Sequence, residues 1–131
     1  MKNMEDIFEL TDCILPADAK KTVFFCEVEE NAYEIFYYAY LNDGSCRQCY
    51  ELAEEGKADE AALDAKFEEI ARFIRQTDSY EPEKRNVVTL CVEGMNETVN
   101  VDHFDKSQGL YRIKKDWKAR ICCVGGDSWV K

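Results

Sequence analysis

The chain has 131 residues, 46% of them hydrophobic and 34% charged, with a formal net charge of −10. This is the composition of a single globular domain, residues 1–131, and it excludes a disordered or fibrous chain. No apolar run approaches the length of a membrane span, and the acidic balance disfavours direct nucleic-acid binding because the chain as a whole repels phosphate.

The opening, "MKNMEDIFEL", is acidic by its fifth residue and lacks the apolar stretch of a secretory signal, so the expected compartment is the cytoplasm. Cysteine usage agrees. The count is seven, an odd number, and Cys13, Cys26, Cys91 and the pair Cys122–Cys123 sit in apolar runs. They read as reduced, packed thiols rather than as a disulfide framework.

"KTVFFCEVEENAYEIFYYAYL" predicts two strands joined near Glu30–Asn31, because β-branched and aromatic residues dominate it. That turn sets Glu27 opposite Glu34, a like-charge pair that costs stability. The second strand is aromatic on both faces, with Phe36, Tyr38 and Tyr40 on one side and Tyr33, Ile35 and Tyr37 on the other. If the first side is open, Tyr38 and Tyr40 with Glu27 and Glu34 form a protein-binding patch; if both sides are covered, the aromatics are core.

Two helices follow. Ser45 with Gln48 makes a capping box for the first, and Gly56 can end it. The second runs through "DEAALDAKFEEIARFIRQ", with Leu63, Phe67, Ile70 and Ile74 on one face and Glu60, Asp64 and Glu68 along its flank.

The first helix would carry Cys46 and Cys49, whose spacing admits a metal pair, a redox pair or packing. Packing is the expectation. A structural zinc site wants a second chelating pair, and the chain has none and only one histidine. A thioredoxin-like site wants a cis-proline opposite the motif, and neither Pro16 nor Pro82 stands before a strand there. On a helix, Cys46, Cys49 and Ala53 share one face, as a core requires.

Past the polar connection "TDSYEPEKRN", the period becomes two. "NVVTLCVEG" and "ETVNVDHF" form a hairpin turning at Met95–Asn96, which sets Val92 against Val99, Leu90 against Val101 and Val88 against His103. "LYRIKKDWKARI" then reads as a third strand through "DKSQG", with Val101 beside Ile113, His103 beside Tyr111 and Asp102 beside Arg112. Leu110, Ile113, Trp117 and Ile121 also fit a helix; the hairpin-like loop favours the strand. The expected fold is α+β: a mainly antiparallel sheet of about five strands (β-hairpin, two helices, β-meander), with the helices packed on one face.

Catalytic constellations are poorly supplied. His103 is the single histidine and reads as satisfied by one backbone partner. No phosphate-binding loop, dinucleotide fingerprint or metalloprotease motif is present, and Gly125–Gly126 is too weak a signal to use. No enzyme activity and no cofactor or metal is expected.

Charge is more informative. Residues 27–69 hold thirteen acids and three bases, while residues 106–120 hold six bases and one acid. The basic stripe Arg112, Lys114, Lys118 and Arg120 is expected to face water or the acidic half. The sequence therefore points to a small acidic interaction module whose partner is a protein with a basic surface, met through Glu27, Glu34, Tyr38, Tyr40, Glu60, Asp64 and Glu68. In its sharpest form this is an inhibitor that mimics nucleic acid, of the antirestriction or anti-CRISPR kind. The rivals are a thiol or zinc protein built on Cys46 and Cys49, and a small enzyme with an unrecognised site.

Overall fold

The computed structural model describes residues 3–125, with side chains to residue 121. The thiols of Cys122 and Cys123, and Gly126 of the pair Gly125–Gly126, lie outside the described residues. Five strands, β1 (Ala19–Val28), β2 (Tyr33–Leu41), β3 (Cys46–Gln48), β4 (Lys84–Glu93) and β5 (Asn96–Asp105), form one antiparallel sheet in the order β3-β2-β1-β4-β5. The helices are α1 (Phe8–Thr11), flanked by 3-10 turns, α2 (Cys49–Glu54), α3 (Glu60–Ile74) and α4 (Leu110–Gly125). The architecture is α+β.

β1 is central, and every residue from Thr22 to Val28 is buried. Alternation sorts them. Phe24, Cys26 and Val28 join Ile35, Tyr37, Ala39 and the apolar face of α3, Leu63, Phe67, Ile70 and Ile74. The two helices expected from sequence, α2 and α3, lie on this side together with α1. Tyr37 ties the layers, its hydroxyl donating to the Ile14 carbonyl at 3.1 Å. The hairpin register holds as read: Glu27 lies opposite Glu34 and Phe25 opposite Phe36.

The segment 110–121 is a helix, and the expected third meander strand does not form. Val23 and Phe25 of β1, Phe36 and Tyr40 of β2 and Val87 of β4 leave a second apolar face, which α4 covers with Ile113 and Trp117. A further edge strand would have left that face bare, so burial decides against local alternation. Thus Val101 does not meet Ile113, His103 does not meet Tyr111, and Asp102 is not cross-strand to Arg112.

Two other expectations are corrected. The β4–β5 turn is Gly94–Met95, not Met95–Asn96, so Leu90 pairs with Val99, Val88 with Val101 and Asn86 with His103. Gly94 takes a φ of 61°, the positive value that the first central position of a two-residue hairpin favours. Ser45 caps no helix: Asp43 accepts from its N–H and its hydroxyl within the β2–β3 turn. Residues 46–48 are strand, and α2 is capped by Gln48, whose side chain accepts from the Tyr50 N–H while Glu51 accepts from the Gln48 N–H. Gly56, at φ 77°, follows that helix as expected.

The connection 77–86 is pinned by Asn86, 1% exposed. Its amide donates to the carbonyls of Val28, Glu81 and Lys84 and accepts from the Glu81 N–H. No helix among the described residues is long and apolar enough to cross a membrane.

Candidate interaction surface

The fold separates charge across the sheet. Acids crowd α2 and α3; on the opposite side α4 carries Arg112, Lys114, Lys115, Lys118 and Arg120 against Asp116 alone within residues 110–121.

The structure divides the candidate acids into two groups. Glu27, 1% exposed, offers no surface: it faces the α4 side, with Arg85 3.7 Å from it and 2.8 Å from Glu29. Burial, then the hydrogen bond and charge of Glu29, push the Glu27 carboxyl up to about 8. Glu34 is joined to Lys114 of α4. The like-charge pair of the hairpin is thus relieved by the proton that Glu27 retains and by a cation from α4. Tyr40, 7% exposed, is core, with Lys21 5.4 Å above its ring. A patch built on Glu27 and Tyr40 is therefore ruled out by burial.

Glu60, Asp64 and Glu68 form the second group, and all three are exposed along one flank of α3. Glu68 reaches Arg72 at 3.7 Å, as expected from their spacing, with both side chains 62% exposed. Asp64 accepts from the Tyr50 hydroxyl at 3.0 Å. Neither Glu60 nor Asp64 has a cation within ion-pair distance among the described residues.

The basic stripe splits between two grooves. Lys114 and Lys118 border a groove of about 460 Å³ between α4 and β2, with Phe36, Tyr38 and Trp117 in its lining. Lys118 stands 5.1 Å above the Tyr38 ring, a cation–π contact that partly occupies this tyrosine. Arg112 and Arg120 line a different cavity, of about 420 Å³, between α4 and β5. Asp102 shares that cavity, yet Arg112 pairs with Asp116 along the helix, at 3.7 Å. Sequence reasoning missed Lys115 and Tyr111, which rim the first groove; placing residues 110–121 in a strand hid them.

The thiols fall on opposite faces of the sheet. Cys46, opposite Tyr40 on β3, packs against the α4-side core, whereas Cys49 opens α2 and is buried in the other core. They do not share a helix face with Ala53, and they do not converge on one ion or one disulfide. Burial holds the Cys49 thiol up at about 11, the reverse of what a nucleophilic thiolate needs. Chelator should therefore leave the melting temperature unchanged, and the purified protein should carry less than one zinc per chain by elemental analysis. Unfolding on chelation would overturn this assignment.

His103 donates through its Nε2–H to the Ser79 carbonyl, 2.7 Å away, and its Nδ1 lies 3.3 Å from Glu81. It fastens β5 to the 77–86 connection, and no nucleophile adjoins it in these contacts. Among the described residues no group of three or more histidine, cysteine or acidic side chains could hold a metal. No protein-family model matches the chain, and no curated protein matches it.

Proposed function

We propose that the protein is a small, non-enzymatic interaction module of the cytoplasm that offers the acidic flank of α3 to a basic surface on a partner protein. The observation that supports this reading is the exposed row Glu60, Asp64 and Glu68, in which, among the described residues, only Glu68 has a cation in reach. Like charges four residues apart repel by about 0.2–0.5 kcal/mol per pair. They recur about every 6 Å along the helix and give a rigid line of negative charge. A basic site that handles nucleic acid is the sharpest candidate partner, because a line of fixed anions competes there with a phosphate backbone.

Glu60→Gln with Asp64→Gln tests the reading. Size and helix propensity are retained, so melting should shift by only a degree or two. Capture of a basic partner by the immobilised protein should weaken markedly at low salt, where charge contacts count most. Unchanged capture at every salt concentration would reduce the row to a solvated surface.

A further inference from the structure

β3 is only three residues long, and β2 is nine. The pairing Tyr38–Gln48, Ala39–Arg47 and Tyr40–Cys46 covers one end of the β2 edge, and the chain then leaves the sheet at Cys49 to enter α2. Among the described residues, no strand occupies the lane beside Tyr33–Phe36.

Two contacts show which backbone groups face it. The Leu41 N–H donates to the Ser45 carbonyl at 2.8 Å, and the Tyr37 N–H meets the Cys49 sulfur. Backbone groups alternate along a strand, so the odd-numbered residues of β2 point away from β1. The N–H and C=O of Tyr33 and Ile35 therefore face the lane, and they have no hydrogen-bond partner among the described residues. Natural sheets usually cover such an edge or break it with proline or a bulge. Here the segment has neither proline nor bulge.

A groove flanks the lane on each face of the sheet. The one of about 460 Å³ lies on the α4 side, and one of about 380 Å³ on the α3 side; both are lined by Glu34, Phe36 and Gln48. The α4 wall is cationic, with Lys115 and Lys118 free of any carboxylate partner among the described residues. The α3 wall is anionic, since Asp64 lines it and Glu68 lies close enough to act on the Tyr33 hydroxyl.

An added strand presents successive side chains to opposite faces, hence to opposite walls. We propose that the open edge of β2 accepts an extended segment of a partner protein by strand addition, its acidic side chains set toward α4 and its alternating basic ones toward α3. The main chain would supply the hydrogen bonds and the two grooves the selectivity. This goes beyond the acidic-flank reading, sharing Asp64 and Glu68 with it but not the edge.

A fluorescent, end-blocked peptide alternating glutamate with lysine is the probe. The pattern puts like charges at i and i+4, so it resists helix formation. It should bind by anisotropy at low salt and slow amide hydrogen exchange at Tyr33 and Ile35. N-methylation of alternate peptide amides, on the face turned to β2, should abolish binding while every side chain is kept. Lys115→Glu with Lys118→Glu, both on the exposed side of α4, should weaken it roughly tenfold. Absence of binding at millimolar peptide, equal binding of the N-methylated form, or protection elsewhere would overturn the proposal. So would preference for a labelled single-stranded oligonucleotide, or a dimer that buries the edge with a second copy. If Glu60→Gln with Asp64→Gln loses a basic partner while the peptide fails to bind, the acidic flank stands and the edge site falls.

Discussion

Trp117→Ala is expected to cost about 3–5 kcal/mol in a denaturant melt, the range for removing a large buried aromatic. Trp117 is 1% exposed and holds α4 to the sheet. Its ring meets Phe25 edge-on at 5.1 Å, Phe36 edge-on at 6.1 Å and Tyr38 nearly parallel at 6.4 Å. Its indole N–H donates to the Thr89 hydroxyl on β4 at 2.9 Å. Alanine would open a cavity between the layers and leave that hydroxyl without its partner. Trp117→Phe keeps the apolar contacts and loses the hydrogen bond, so it should cost much less, about 1–3 kcal/mol once reduced packing is included. A cost under about 1 kcal/mol for alanine would favour a half-buried strand at residues 110–121 and would remove the wall on which the β2 groove depends.

That helix was the hardest element to read, for a physical reason. Tyr111, Ile113, Trp117, Ala119 and Ile121 satisfy a period of two, while Leu110, Ile113, Trp117 and Ile121 satisfy the helical period. No local feature separates the two patterns. The deciding quantity is non-local: the apolar face made by Val23, Phe25 and Val87, which exists only once β1 has paired with both neighbours. The β1–β2 hairpin was legible because a short turn and strict alternation fix one register. In the β4–β5 hairpin a turn misplaced by one residue moved every partner by two, which changes the register and preserves the face; Val99 and Val101 still pack on the α1–α3 side.

The acidic row was legible from its spacing of four. The β2 edge was not, since β3 is too short to show a period and its residues mimic a helix cap. Whether an edge is open depends on where its neighbour stops, and that is a property of the assembled sheet. The same dependence removed Glu27 and Tyr40 from the surface. Both stand where an open face would have exposed them, and α4 closes over that face.

Glu27 carries the second large effect. Its carboxyl lies in the second core beside Glu29 and across from Glu34, and Arg85 turns mainly to Glu29. With a folded value near 8 against an ordinary 4.5, the native protein keeps a proton that the unfolded chain releases. The native state therefore binds more protons over that interval, and stability must fall as pH rises from about 4.5 to about 8. The slope is at most about 1.4 kcal/mol per pH unit. Glu27→Gln keeps the shape and a donor toward Glu29 but cannot ionise. It should match the parent at about pH 5 and exceed it by a few kcal/mol at about pH 9. Melts of both proteins across this range would check it. Parallel pH profiles would mean that Glu27 is ionised in the folded state and that Arg85 serves it as fully as it serves Glu29.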